Sequence, residues 1–373
     1  MFKLTIRRSF PFLVLLLLVV FAPDRTHPES ASSTKRVPPR FTNFETGANV
    51  KSLAFEGEVL WIGLSNGIIR YDTRTTEEHR IYTSRSTHGG LLSNGVYKIF
   101  VDRSGVKWIG TYGGGLSRFD ERQWTTYTPY GGGNTGYGAG WAQYRTGSGL
   151  GDLWVYDMLQ DPRGALWIAT WKGVSRFDGK RFRTYTTDDG LIDKWVYAIA
   201  RDVRGDFWFG TEGGVSRFDG KRWKSWTHKD GLGADIGGDA SSEDGNYSHH
   251  GGAKENRNAN PNFVLSLAID RSDVKWIGTW GAGLSRFDGK KWKTFTAGPG
   301  SIGGNFVHAL AIDPKGRLLA ATNGGISFFD GRRWTTYTTA DGLLDNNVFS
   351  IAFDRKGNTW LGTWRGLSKM EGG

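Results

Sequence analysis

One stretch constrains what this chain can fold into: VKWIGTWGAGLSRFDG, residues 274–289, because it recurs along the sequence with small edits. Residues 106–120 read VKWIGTYGGGLSRFD, residues 166–179 LWIATWKGVSRFDG, and residues 207–220 FWFGTEGGVSRFDG. Weaker copies are LWIGLSNGIIRYD at 60–72, LLAATNGGISFFDG at 318–331 and TWLGTWRGLSKM at 359–370. The aligned positions Trp61, Trp108, Trp167, Trp208, Trp276, Leu319 and Trp360 define seven units, spaced by 47, 59, 41, 68, 43 and 41 residues. Self-similarity with such a period is the signature of a repeat architecture.

Each unit divides into four short runs rich in Val, Ile, Trp, Tyr and Thr, bounded by Gly or Asp, as β-strands are. In unit seven the first run is Val348 to Asp354, followed by a Gly-containing turn. In unit five Asp288-Gly289 separates two runs, a hairpin signal because a tight primed turn needs positive φ. The four strands are called a, b, c and d here. Four-stranded units of this length predict blades, so the fold expected is an all-β, seven-bladed β-propeller of antiparallel blades. Unit seven runs out at Met370, after strand c, whereas residues 40–44 (RFTNF) resemble the d strand 291–295 (KWKTF). The N-terminal segment is therefore expected to complete the last blade, closing the ring and removing an exposed sheet edge.

The full pattern, V-x-x-I-x-x-D-x-x-G-x-x-W-I-G-T-x-G-G-L-S-R-F-D-G-x-x-W-x-x-Y-T-x-x-D-G-L, resembles the two-component regulator propeller repeat over about residues 41–373. The resemblance implies an extracytoplasmic sensor propeller of a bacterial signalling protein. Such proteins usually continue into a further β domain, a membrane span and a kinase. The sequence in hand ends at Gly373 inside the last unit, so a propeller without the kinase part is expected.

Residues 1–22 have the layout of an export signal: Lys3, Arg7 and Arg8, then an apolar run from Pro11 to Ala22. That run is short for a membrane span and normal for a signal peptide. Pro23 disfavours cleavage after Ala22, so an uncleaved leader tethering the protein to the cytoplasmic membrane is the alternative. Residues 23–40, rich in Pro, Ser and Thr, read as a spacer, leaving 41–373 as the propeller. Location is expected to be periplasmic or extracellular. The formal charge is +11, and the leader and spacer supply nearly half of it. The remaining basic residues are scattered through turns and form no stripe of the kind nucleic acid requires, so no nucleic-acid role is expected. There is no cysteine, which removes any thiol nucleophile.

Positions where the repeats agree build the fold; a site should lie where they differ. Two long d–a connections, 127–152 and 227–262, leave the same face as the b–c turns, and loops on one face of a repeat fold are usual binding places. On that face the b–c turns vary, carrying Tyr112, Trp171 with Lys172, Glu212, Trp280, and Trp364 with Arg365. The start of strand a also varies. Trp154, Trp195, Phe263 and Phe306 precede its first Val. Two positions on stand Lys51, Tyr97, Tyr156, Tyr197, Leu265, His308 and Phe349. The candidate ligand-binding set is Tyr112, Trp154, Tyr156, Trp171, Lys172, Trp195, Tyr197, Glu212, Trp280, His308, Trp364 and Arg365. An aromatic cup with few polar groups suits a small ligand; flat ring faces beside charges suit a glycan fragment, and a protein partner would also fit. The plainer reading is that the strand-a aromatics fill space between blades.

No catalytic constellation is evident, and neither a cofactor nor a metal is expected. Glu212 and His308 would be the acid–base pair of an alternative propeller enzyme, a lyase or hydrolase. A further alternative is a pure interaction scaffold. His249 and His250 with Glu243 and Asp244 lie in a Gly/Asn-rich loop, a weak metal signal.

Overall fold

The structure is a computed structural model that describes residues 39–75, 79–129, 149–236 and 259–371, together with the backbone of Ile6 and Arg7. The expected architecture is present: seven antiparallel sheets, each ordered a-b-c-d, with consecutive strands hydrogen-bonded. The a strands are Val50–Glu56, Val96–Val101, Val155–Gln160, Val196–Arg201, Asn260–Ile269, Val307–Ile312 and Val348–Phe353. The insertions at 130–148 and 237–258, including His249 and His250, lie outside the described residues.

The repeated motif can be read atom by atom. The b-strand Trp is buried between blades at six positions, between 1% and 6% exposed, and Leu319 takes the seventh. Its indole still has an N–H to satisfy. In five blades the Asp ending strand a supplies the acceptor, as Trp108 donates to Asp102 (2.8 Å), Trp208 to Asp202 (2.9 Å) and Trp360 to Asp354 (3.0 Å); in blade one Trp61 donates to Glu56 (3.0 Å). The other oxygen of that Asp accepts backbone N–H groups of the a–b turn, as Asp202 does from Arg204 and Asp206. In blade six, where Leu replaces Trp, Asp313 binds Arg317 Nε instead.

The Gly of the motif is a packing requirement. A Cβ on Gly110 would stand 2.6 Å from Val155 Cγ1, and one on Gly210 2.5 Å from Val264 Cγ1, both in the next blade. The following Thr returns its hydroxyl to the b–c turn, as in Thr170 to Gly173 O (2.9 Å). The Ser of strand c accepts the N–H of the segment entering its own blade, as in Gly233 to Ser285 (2.8 Å). At the c–d turn Gly289 has φ 93°, and in blade two Glu121 adopts φ 72° at the same place. Seven hydrophobic clusters result, one at each blade boundary.

Closure also follows expectation. Strand Arg40–Glu45 pairs antiparallel with Gly366–Glu371, in the register Phe41↔Met370 and Phe44↔Leu367. Phe44 stacks on Trp360 and joins the cluster with Val50 and Leu60 of blade one. Asn43 accepts the Ser368 hydroxyl (2.7 Å) and donates to Gly342 O (3.0 Å). It thereby does for blade seven what Thr184 does for Ser175 in blade three. Ile6 and Arg7 pair with Phe44 and Asn43 on the outer edge of this strand.

Candidate functional site

A β-bulge in every a strand positions the site. Pairing with strand b skips one residue in each blade, between Val50 and Ser52, Val96 and Lys98, Val155 and Asp157, Val196 and Ala198, Val264 and Ser266, Val307 and Ala309, and Val348 and Ser350. The skipped residues are Lys51, Tyr97, Tyr156, Tyr197, Leu265, His308 and Phe349. A bulged residue drops out of the ladder and its side chain is re-aimed. All seven line one cavity of about 970 Å³ on the propeller axis, with Trp280, Phe306, Asn323, Asn347 and Trp364 also in its wall.

The bulged aromatics touch in sequence around the channel. Tyr97 and Tyr156 lie 4.5 Å apart by ring centres, Tyr156 and Tyr197 4.7 Å, and Tyr197 and Phe263 4.6 Å. The arc continues through Trp280 to Phe306. Burial raises the Tyr97 hydroxyl to about 12 and pushes those of Tyr156 and Tyr197 higher still, so all three remain neutral donors at physiological pH. Across the channel His308 stacks on Phe349 (4.8 Å). His308 Nδ1 lies 3.0 Å from Val348 O, and a carbonyl only accepts, so the proton is on Nδ1. Burial, aided by the nearby Lys51 charge, lowers the His308 pKa to about 4.

The candidate residues fall into two groups. Tyr156, Tyr197, Trp280, His308 and Trp364 line the cavity. The others stand outside its lining. Trp154 stacks face to face on Trp171 (4.2 Å, 5°), with Tyr112 edge-on against Trp154, so these rings cover one another. Trp195 packs near Trp171 and under Lys194. Lys172 is exposed, and Arg365 pairs with Glu45 (3.2 Å) on the surface. Glu212 is buried behind the ring and accepts the Tyr197 hydroxyl (3.3 Å). Burial first, and then the Asp193 charge, raise its pKa to about 7. Glu212 and His308 thus act on different neighbours rather than as one pair.

The candidate set left out Lys51, Tyr97, Phe306 and Phe349, although their strand-a register was visible. It also left out the Lys98–Asp157 ion pair (2.7 Å) one step below the ring, whose Asp157 also accepts the Ile199 N–H from the next blade. Two oppositely charged residues one blade apart carry no local sequence signal. Among the described residues no group of three or more His, Cys, Asp or Glu side chains could hold a metal, and no helix is long and apolar enough to cross a membrane.

Comparison with known proteins agrees with this architecture. The two-component regulator propeller family matches at residues 149–172, 190–213 and 342–365, each running from the start of a blade into its b–c turn. No curated protein matches the chain. Among solved structures, the extracellular domain assigned to a hybrid two-component system of B. thetaiotaomicron superposes with TM-score 0.67 at 22% identity, over 89% of this chain and 41% of that one. A second such domain from the same organism gives 0.61 at 21%, over 89% and 39%. The chain therefore spans about two fifths of the length of these extracellular domains. Virginiamycin B lyase from Staphylococcus aureus gives 0.60 at 13% identity, over 89% of this chain and 98% of that one. At these identities the likeness is one of fold.

Proposed function

We propose that this chain, which carries two-component regulator propeller repeats, is an exported recognition module in a sensory or envelope role. Its ligand, a glycan fragment or a loop of a protein partner, enters the channel mouth on the face of the b–c turns. The observation that carries this reading is the ring of seven bulged residues. Each blade turns the bulged residue after its first strand-a Val towards the same cavity, and five of the seven side chains there are aromatic or imidazole. Packing between blades does not require this, because the blade boundaries are already filled by their own clusters. An aromatic cavity with sparse polar groups is the usual make-up of a ligand site. The export-like leader and the extracellular sensor domains among the structural neighbours support placement outside the cytoplasm.

The second reading, a propeller enzyme, draws on the lyase neighbours and on His308 in the channel. The site's electrostatics weigh against it. A general base works best with a pKa near the operating pH; that of His308 lies at about 4, while Glu212 at about 7 faces Tyr197 rather than the cavity. The test is thermal unfolding of the full chain against oligosaccharides, peptidoglycan fragments and divalent metals, repeated with Tyr156→Ala, Trp280→Ala and Trp171→Ala. The recognition reading expects a ligand-dependent shift that the first two variants abolish and the third preserves. Turnover of any panel member that Glu212→Gln and His308→Gln both stop would favour the enzyme. No shift with any compound would leave a protein-interaction scaffold.

A further inference from the structure

The bulged ring is uneven in charge. Three tyrosines occupy one side, His308 and Phe349 the other, and Lys51 stands between Phe349 and Tyr97 as the ring's only amine. Its Nζ lies 3.5 Å from the centre of the Phe349 ring and 5.9 Å from that of Trp364. These cation–π contacts recover part of the cost of taking an ammonium out of water. No carboxylate pairs with it among the described residues. The layer below shows the contrast: Lys98 is matched by Asp157 at 2.7 Å. His308 adds no charge, since burial keeps its ring neutral. Burial lowers the Lys51 pKa to about 8, so at neutral pH the cavity carries one unmatched and mostly protonated amine beside an arc of flat rings.

We propose that Lys51 is an anion anchor and that the cavity's ligand is a small ring-bearing carboxylate. The carboxylate meets Lys51 Nζ, and the ring lies against Tyr97 and Tyr156. Two sources share this chemistry, an acidic sugar and an aromatic acid. The inference rests on the recognition reading of the cavity and specifies what is recognised there. The geometry favours it because a charge-assisted hydrogen bond to Lys51 supplies the partner that the protein withholds.

The experiment is calorimetric titration of the full chain with galacturonic acid and 4-hydroxybenzoate, each beside its methyl ester, which keeps the ring and removes the charge. At least one acid is expected to bind, with its ester weaker by about tenfold or more. Which acid binds identifies the source. Lys51→Met should erase the difference between acid and ester. The same substitution should leave the unliganded melting temperature unchanged or higher, because it removes a buried unmatched charge. Esters that bind as tightly as acids, or a Lys51→Met protein that still prefers the acid, would overturn the anchor and leave the cavity reading standing. Binding of none of the four probes would overturn the ligand class, and a neutral oligosaccharide shift sensitive to Tyr156→Ala would then show that the cavity itself still binds.

Discussion

The walls between blades and the ring around the channel are built from the same repeat under opposite rules. In the walls one residue type recurs: Trp at six of seven b-strand positions, Gly at five of seven positions two residues later, and Ser in strand c of blades two to seven. In the ring only tyrosine recurs, at three positions running, and the rest are Lys, Leu, His and Phe. The wall is uniform because each side chain meets a nearly identical neighbour across a boundary with no spare volume. The ring is free to vary because its side chains meet the cavity. Repetition therefore marks what the fold needs, and departure from repetition marks what the fold leaves available.

The strongest way to break this contrast is at the seam, where the wall is completed by residues more than 300 positions apart. Removing residues 41–47 strips the last blade of its d strand and should lower the melting temperature by about 10 °C or more. An unchanged transition would show that the ring does not depend on that strand. Next come two leucines of blade five, Leu284 fully buried in the wall and Leu265 half-buried in the ring. By denaturant unfolding Leu284→Ala should cost about 3 kcal/mol, and Leu265→Ala less than about 1 kcal/mol. Equal losses would mean that the ring is core rather than surface.

A smaller effect is expected where two blades approach most closely. Gly110→Ala should cost about 1–3 kcal/mol by forcing Val155 away. The same boundary position is already Ala169 in blade three and Ala321 in blade six, where Ala→Gly should stabilise nothing.

The last prediction concerns pH and sits behind the ring. Glu212 is raised from an ordinary 4.5 to about 7, chiefly by burial. The folded state then holds its proton where the unfolded chain has lost it. This contribution to stability is complete below about 4.5 and is lost as pH rises through about 7. Glu212→Gln should flatten the melting-temperature profile across that window and exceed the parent protein above it, by on the order of 1 kcal/mol. A parent profile already flat there would mean that Glu212 is ionised in the folded protein.

Seven blades, four strands in each and the N-terminal closing strand were legible in the sequence; the hydrogen bond from a b-strand Trp to the Asp ending strand a was not. What was legible follows from local spacing repeated often enough to be unmistakable. Trp171 shows what that reasoning could not see. It stands in a b–c turn, where the repeats differ, and is one of the candidate ligand-binding residues. The fold instead gives it Trp154 as a stacking partner, contributed by a segment 17 positions away across the blade. Lys51 shows the converse: its strand-a register was legible, but only the tertiary structure places it beside Phe349 of the last blade.

By itself, then, the sequence determined the ring, because hydrophobic spacing and turn chemistry act within one unit and each unit repeats them. The register of the ring residues could be read from the repeat, but only the tertiary structure decided that all seven line one cavity and which of the other candidates stay out of it. A bulge drops one residue from the ladder and breaks the two-residue alternation from which strand faces are read. Each ring tyrosine also meets a residue of another blade, as Tyr97 meets Tyr156 and Tyr197 meets Phe263, at distances along the chain that no local pattern records.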